Sequence, residues 1–436
     1  MSGKTKPVKK MSQRIITEPK KIELSKKEDI KNFIKIRKLI YVGGRFYSYR
    51  NGYYKEISKY NFKKEISEAS NSEKYYRSQL DNTIDGLRTY SEVGVDQINS
   101  QKYINMNNGL FNTDTCKLES HSSELITTIR VPIEYNQNAT CEQYQKFLHS
   151  SVPNKTSQLV LQEFFGYTLS RDTNHEIACF LIGEGGNGKG VLMKVLLLLF
   201  GKENISFLDI SELGKDTNRV QLFNKLLNIS TEMNSKITTH SFKIFKQVTS
   251  FETITGKFLY SDAFSFNPNA KFIFSVNDKP VFPENNEATF RRLLLIDFPN
   301  IFGELSEGAK HQKDIQLFEK LKTEKQGIFN WAIEGLNRLR EKGKFSQDDT
   351  TLMQMEKFKI HTDSIGEFLK KKCIFDPDYE IKVSEIYKQY KQFCNDHGVE
   401  PAIDKVFGKK INQKPQVSVK GQKEKRIYIG VKTHGI

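Results

Sequence analysis

Residues 178–201 read ACFLIGEGGNGKGVLMKVLLLLFG and restrict the fold more than any other stretch of the chain. The apolar run Cys179, Phe180, Leu181 and Ile182 predicts a short buried strand. A glycine-rich turn follows over 183–188, and Lys189 then opens an apolar helix that Gly201 closes. Strand, glycine turn and lysine-led helix make a phosphate-binding loop, its G-x-x-x-x-G-K spacing met by Gly183, Gly188 and Lys189. Glycines let successive backbone N–H groups face phosphate oxygens, and the helix N-terminus adds positive potential. The residues expected to hold the nucleotide are Gly183, Glu184, Gly185, Gly186, Asn187, Gly188, Lys189 and Gly190, with the Lys189 ammonium on the β and γ phosphates. A serine or threonine ordinarily follows the lysine and gives its hydroxyl to Mg2+. Gly190 stands there instead. ATP with Mg2+ is the expected cofactor, and this loop leaves the ligation of the metal open.

Such a loop needs a domain around it, and 436 residues allow two or three. Hydrophobic residues at 37% against 28% charged suit a sizeable core. The formal net charge of +16 and pI of about 9.3 call for a polyanionic partner, nucleic acid being the usual one. Solubility alone is the plainer alternative. Cys116, Cys141, Cys179, Cys373 and Cys394 are spread out without a C-x-x-C pair, which argues against a zinc site or a disulfide framework. They read as reduced thiols of a cytoplasmic protein. The N-terminus carries no apolar signal segment. The longest apolar run, 191–200, contains Lys194 and is too short for a bilayer, so no membrane partner is expected.

Residues 1–27 hold nine Lys or Arg against two Glu and read as a flexible basic tail. Residues 28–135 read as a mixed α/β domain, with a helix over 30–40 and hairpin turns at Gly43-Gly44 and Asn51-Gly52 among aromatic residues. Those tyrosines either pack in a core or stack on bases. A turn-rich piece follows over 107–121. Residues 136–177 read as two helices, 141–149 and 157–169. Over 178–345, strands at 226–231, 272–276 and 293–298 alternate with helices in a three-layer α/β pattern, closed by an amphipathic helix at 327–339. Residues 346–363 are polar and read as a linker. In 364–436, helices at 365–373, 383–397 and 402–412 precede strands at 417–419 and 427–431. This is the order of a winged helix-turn-helix domain. Between 405 and 432 there are nine Lys or Arg and one Glu. Lys420, Lys423, Lys425 and Arg426 in the connecting turn are candidate DNA contacts, and a small protein-interaction domain is the alternative.

The chemistry requires an acid on a neighbouring strand, to assist the metal and polarise the attacking water. Glu232 follows the strand at 226–231, where ligands gather in α/β sheets, and Thr231 occupies the place of a second acid. Glu232 is therefore the candidate for water activation and metal contact. Asn277 ends the strand at 272–276 and is placed to orient the water. Arg291 and Arg292 precede the last strand, and either could reach across a subunit boundary as an arginine finger. The segment TITGKFLYSDAF, 253–264, reads as a hairpin turning at Gly256-Lys257. Its lysine suits a phosphate-tracking loop, with Lys246 on the preceding helix assisting.

This order of elements resembles the superfamily 3 helicases, specifically the phage and plasmid primase-helicases related to the poxvirus type. The segments that carry it are YNQNATCEQYQKFL, LQEFFGYTLSRDT, GEGGNGKG, FKQVTSFETITGKFLYSDAFSFNPNAKFIFSVNDKPVF, ATFRRLLLIDF and GIFNWAIEGLNRL, which together span about residues 107–343. The resemblance implies an AAA+-like P-loop ATPase core behind a mixed α/β region and a collar-like helical block, with a C-terminal winged helix. It implies a ring, usually a homo-hexamer, around one DNA strand. Nucleotide would sit between subunits, with Lys189 and Glu232 from one and an arginine from the next. Lys257 would line the pore, and travel would be 3′ to 5′ on single-stranded or forked DNA. Relatives of this kind serve replication of viruses, plasmids or integrated elements. The stretch before the helical block is too short for the primase domain many relatives carry, so a separate primase or polymerase is the expected partner. The alternative is an ATP-switched origin-binding protein that loads other factors without unwinding.

Overall fold

A computed structural model describes residues 24, 26–69, 77–231, 233, 237–304, 311–422 and 426–434. The chain divides into two compact units, Met1–Ile98 and Asn99–Ile436.

In the first unit, helix α1 (Lys27–Arg37) turns Ile30 and Phe33 inward and ends where Lys38 adopts a left-handed conformation. Strands β1 (Leu39–Val42), β2 (Arg45–Arg50) and β3 (Tyr53–Ile57) form an antiparallel meander. Its turns fall at Gly43-Gly44 and Asn51-Gly52, all at positive φ as tight hairpins require. Helices α2 (Lys59–Ala69) and α3 (Arg77–Ser91) complete a core that includes Phe33, Phe46, Phe62, Ile66 and Leu87. Tyr47 and Tyr54 are buried in this unit, so these two aromatics pack rather than stand clear for bases.

The second unit opens with the antiparallel strands β4 (Tyr103–Met106), β5 (Gly109–Asn112) and β6 (Lys117–Glu119). Ile104, Met106 and Phe111 enter the large core of this unit, where Phe111 meets Phe329 edge to face. The expected boundary at residue 135 is therefore wrong: the division falls at 98, because the inward faces of residues 99–135 have their apolar partners in the second unit. Helices α4 (Glu142–Ser151) and α5 (Lys155–Ser170) follow, at the predicted places.

Next come β7 (Ala178–Ile182), α6 (Lys189–Phe200), β8 (Ile205–Ser206), α7 (Asp216–Arg219), β9 (Leu227–Ser230), α8 (Thr239–Thr249), the hairpin β10 (Ile254–Lys257) and β11 (Ala263–Phe266), β12 (Lys271–Val276), α9 (Glu287–Phe290) and β13 (Leu293–Asp297). Five of these strands form a parallel sheet in the order β13-β7-β12-β9-β8. From β7 the chain crosses to the far edge at β8, works back through β9 and β12, then passes beyond β7 to β13. The order reverses at β7, and in open parallel sheets ligands bind beyond the strand ends at such a reversal. β7 is buried along its whole length, as a central parallel strand must be.

Beyond the sheet lie β14 (Phe302–Gly303), β15 (His311–Gln312), α10 (Leu317–Thr323) and α11 (Lys325–Lys342). α5 and α11 pack so closely that a Cβ on Gly166 would stand 2.2 Å from the Ala332 carbonyl oxygen, and one on Gly335 2.3 Å from that of Gln162. Between them the fully buried Glu163 carboxylate accepts from Arg338 Nε at 2.7 Å and from the Ser346 backbone N–H at 2.8 Å.

Residues 346–363, expected as a linker, are mostly the helix α12 (Asp349–Thr362). Asp348 and Thr351 cap it reciprocally, and Phe358 and Ile360 are buried. The last part holds α13 (Ser364–Lys372), β16 (Cys373–Ile374), β17 (Glu380–Lys382), α14 (Val383–Asp396), α15 (Asp404–Ile411), β18 (Ser418–Lys420), β19 (Ile427–Ile429) and β20 (Lys432–Thr433). It has a core of its own around Phe368, Tyr390, Phe393, Phe407 and Tyr428. The order β17-β19-β18 adds a strand to the predicted hairpin. Among the described residues, no helix is long and apolar enough to cross a membrane.

Candidate functional site

The loop leaving β7 is braced from the neighbouring strands. The Gly183 N–H donates to the Val276 carbonyl at 3.2 Å, and the Asn187 side-chain amide to the Phe298 carbonyl at 3.1 Å. The Phe302 N–H donates to the Gly186 carbonyl at 2.8 Å. Gly188 turns the chain into α6 at φ +94°, a conformation that disfavours any side chain. The Val191 and Leu192 N–H groups both donate to its carbonyl at 3.0 Å, which starts the helix. Lys189 is 5% exposed. Its ammonium donates to the carbonyl oxygens of Gly183 and Glu184 and, at 3.3 Å, to the Asn187 side chain. Burial lowers its pKa from the ordinary lysine value.

A cavity of about 630 Å³ opens over this loop. Ser275 of β12 and Asn277, the residue just beyond it, border the cavity. Three further lysines border it: Lys146 from α4, Lys194 from α6 and Lys313 from the segment before α10. Sequence reasoning did not select them. Lys194 had a signal, as the one charge in the apolar run 191–200; Lys146 and Lys313 are brought in by the fold alone. The turned glycines, four lysines and cavity size fit a nucleoside triphosphate. A protein-held metal fits less well. Gly190 faces open space, and no group of three or more His, Cys, Asp or Glu that could hold a metal ion occurs among the described residues. Glu232 lies outside the described residues; the strand it follows, β9, is separated from β7 by β12.

The paired arginines part company. Arg292 is 7% exposed, and its guanidinium donates to Glu176 at 2.7 Å, to Ser250 Oγ at 2.8 Å and to the Ala288 carbonyl. Burial lowers its pKa. The Arg291 side chain is 65% exposed and touches Glu176 at 3.4 Å. Both sit at the start of β13, whose Leu293 pairs with Ala178, whereas the phosphate loop leaves the other end of β7. Six residue rises at about 3.3 Å place their backbone roughly 20 Å from the loop of the same chain.

The hairpin differs from the expected one. Gly256 lies inside the ladder opposite Phe264, and a Cβ there would stand 3.0 Å from Val220. Lys257, paired with Ala263, is exposed at the base of the turn, not at its tip. The tip carries Leu259 and Tyr260, 72% and 91% exposed, which sequence reasoning passed over. Lys246 is engaged by Glu284 at 2.7 Å, a contact that also holds the Glu284 carboxyl below its usual pKa. In the C-terminal part, Lys420 ends β18 and Arg426 precedes β19, both exposed; Lys423 and Lys425 lie outside the described residues.

The fold and site together define a parallel-sheet α/β protein with a glycine-rich loop at its strand-order reversal. Residues 6–153 match the family described as "D5 N terminal like", and residues 181–292 match the "Family of unknown function (DUF5906)". The chain is 25% identical over 270 residues to a protein of Acanthamoeba polyphaga mimivirus named "Putative helicase L207/L206". That similarity covers 57% of this chain and spans 28% of the length of the mimivirus protein. Among solved structures, the fold is similar to the apo C-terminal region of NrS-1. One such structure has a TM-score of 0.53 at 12% identity, over 92% of this chain and 99% of that one; a second has the same score over 95% and 99%. The first family match and the mimivirus similarity support a relation to the phage and viral primase-helicases.

Proposed function

We propose that this chain is an ATP-dependent DNA helicase of replication, acting as a ring-forming homo-hexamer that moves 3′ to 5′ on single-stranded DNA. The observation that carries the reading is the glycine loop at the sheet reversal, with buried Lys189 beneath it and Asn277 on the same cavity wall. In this reading Lys189 exchanges its loop carbonyls for phosphate oxygens, and Asn277 orients the attacking water. Glu232 polarises that water and assists Mg2+, which supplies charge neutralisation on the phosphates when bound. Arg291 serves the site of a neighbouring copy, since its side chain is exposed and its own loop is out of reach. Arg292 anchors the sheet. Lys257 and the tip of its hairpin meet the DNA strand, and the C-terminal part acts as a winged helix through Lys420, Lys423, Lys425 and Arg426. Single-stranded and forked DNA are the substrates, with a separate primase or polymerase as partner.

The second reading, an ATP-switched origin-binding protein, draws on Gly190 and Thr231, which offer a metal no carboxylate and so favour slow turnover. Strand displacement from a forked duplex separates the two. The helicase displaces the strand with ATP and loses this in Lys189→Ala; a wild-type chain that hydrolyses ATP without displacement contradicts the first reading and favours the second.

A further inference from the structure

Helix α4 ends beside Gly188 of the glycine loop with Ser151, a residue that no sequence motif marks. Ser151 is fully buried, and its hydroxyl has no hydrogen-bond partner among the described residues. Buried hydroxyls normally find one, and in helices a carbonyl three or four residues back is the nearest. The adjacent Ser150 does so, donating to the Phe147 carbonyl at 2.9 Å, as does Thr168 to the Phe164 carbonyl at 2.8 Å. Ser151 is instead directed at the loop. A Cβ on Gly188 would stand 2.6 Å from its oxygen, and Ser151 forms part of the cavity wall. Gly188 is the residue from which α6 starts, so the hydroxyl lies where the helix N-terminus concentrates positive potential. Across the same loop, position 190 has no hydroxyl and opens on empty space.

We infer that the Ser151 hydroxyl donates a hydrogen bond directly to a phosphate oxygen of the bound nucleotide, supplying from α4 the hydroxyl contact that Gly190 cannot make. The inference rests on the nucleotide reading above. It accounts for the orphaned donor, which acquires a charged acceptor only when the site is filled. It also gives glycine at 188 a second purpose, since a side chain there would occupy the hydroxyl's path. Lys146, on the same helix, and Lys194 and Lys313 draw the anion toward this wall.

The test uses the 436-residue chain and equilibrium binding of ADP and of a non-hydrolysable ATP analogue, each with Mg2+ and with a chelator. Ser151→Ala is expected to bind both about 10- to 100-fold more weakly under both conditions, the loss of one hydrogen bond to a charged group. Ser151→Thr, which keeps the hydroxyl, restores binding. The nucleotide-free Ser151→Ala chain melts no lower than wild type, because the hydroxyl makes no bond there; a purely structural serine would lower it. Unchanged binding by Ser151→Ala, or weakening only with Mg2+ present, overturns the direct contact while leaving the nucleotide reading intact. A wild-type chain that binds neither nucleotide, or a Lys189→Ala chain that binds as wild type does, overturns the nucleotide reading and this inference with it.

Discussion

Replacing Arg291 and Arg292 one at a time separates a structural arginine from one that acts on a neighbour. Arg292 donates charge-assisted hydrogen bonds to Glu176 at 2.7 Å and Ser250 at 2.8 Å from a side chain that is 8% exposed. Bonds to charged groups contribute about 1.5–3 kcal/mol each. Glu176 is 41% exposed and rehydrates when its partner is lost, and the buried Arg292 Nε has no acceptor among the described residues, so the sum must be reduced. Arg292→Ala should then cost about 2–4 kcal/mol and lower the thermal midpoint by about 4–8 °C. Arg291 meets the same carboxylate at 3.4 Å from a 65% exposed side chain, a contact contributing about 0–1 kcal/mol, so Arg291→Ala should leave the midpoint nearly unchanged. Its effect should fall on turnover, by a factor of about 10³–10⁵ if it stabilises transition-state charge across a subunit boundary. Steady-state ATP hydrolysis beside thermal melts reads both quantities. Mixing Arg291→Ala with Lys189→Ala chains adds a further check, because a mixed ring contains sites that pair an intact lysine with an intact arginine, and part of the activity returns. Wild-type turnover by Arg291→Ala, or loss of turnover in an Arg292→Ala chain of unchanged midpoint, would refute the assignment.

Other consequences follow from single contacts. Arg338→Ala leaves the fully buried Glu163 carboxylate with Ser346 as its one hydrogen-bond partner among the described residues, and should cost about 3–5 kcal/mol in urea denaturation, whereas replacing the exposed Lys344 should change little. Tyr260→Ala at the hairpin tip should leave the melting curve alone and weaken single-stranded DNA binding by about 5- to 100-fold, the contribution of one stacked base; equal affinity by fluorescence anisotropy would remove Tyr260 from the DNA path.

How far the sequence reaches is clearest at the phosphate loop. Strand β7, the glycines and α6 are local in sequence, and each step has its own signal, so their bounds agree closely with the structure. The same holds for β12 and β13, whose apolar runs stand out, and for β9, where Leu227 and Ile229, with Leu226 just before them, are the apolar residues. Two-residue strands such as β8 and β16 carry no pattern of their own. Helix α12 was hidden because Leu352 and Met353 are exposed and its burial rests mainly on Phe358 and Ile360. The capping pair Asp348 and Thr351 was the available signal. At the site, Lys146, Ser151 and Lys313 come from segments distant in sequence, and only the packing of α4 and the stretch before α10 around the loop brings them together. Adjacent arginines cannot be told apart by type; which one turns under the sheet is decided by Glu176 and Ser250.

The most direct measurement is ATP turnover by the purified chain, with and without single-stranded DNA, for wild type and Lys189→Ala. A motor built on this loop hydrolyses ATP, does so faster when the DNA is added, and loses both in the variant. Turnover that ignores DNA, or that survives the loss of the Lys189 ammonium, contradicts the account.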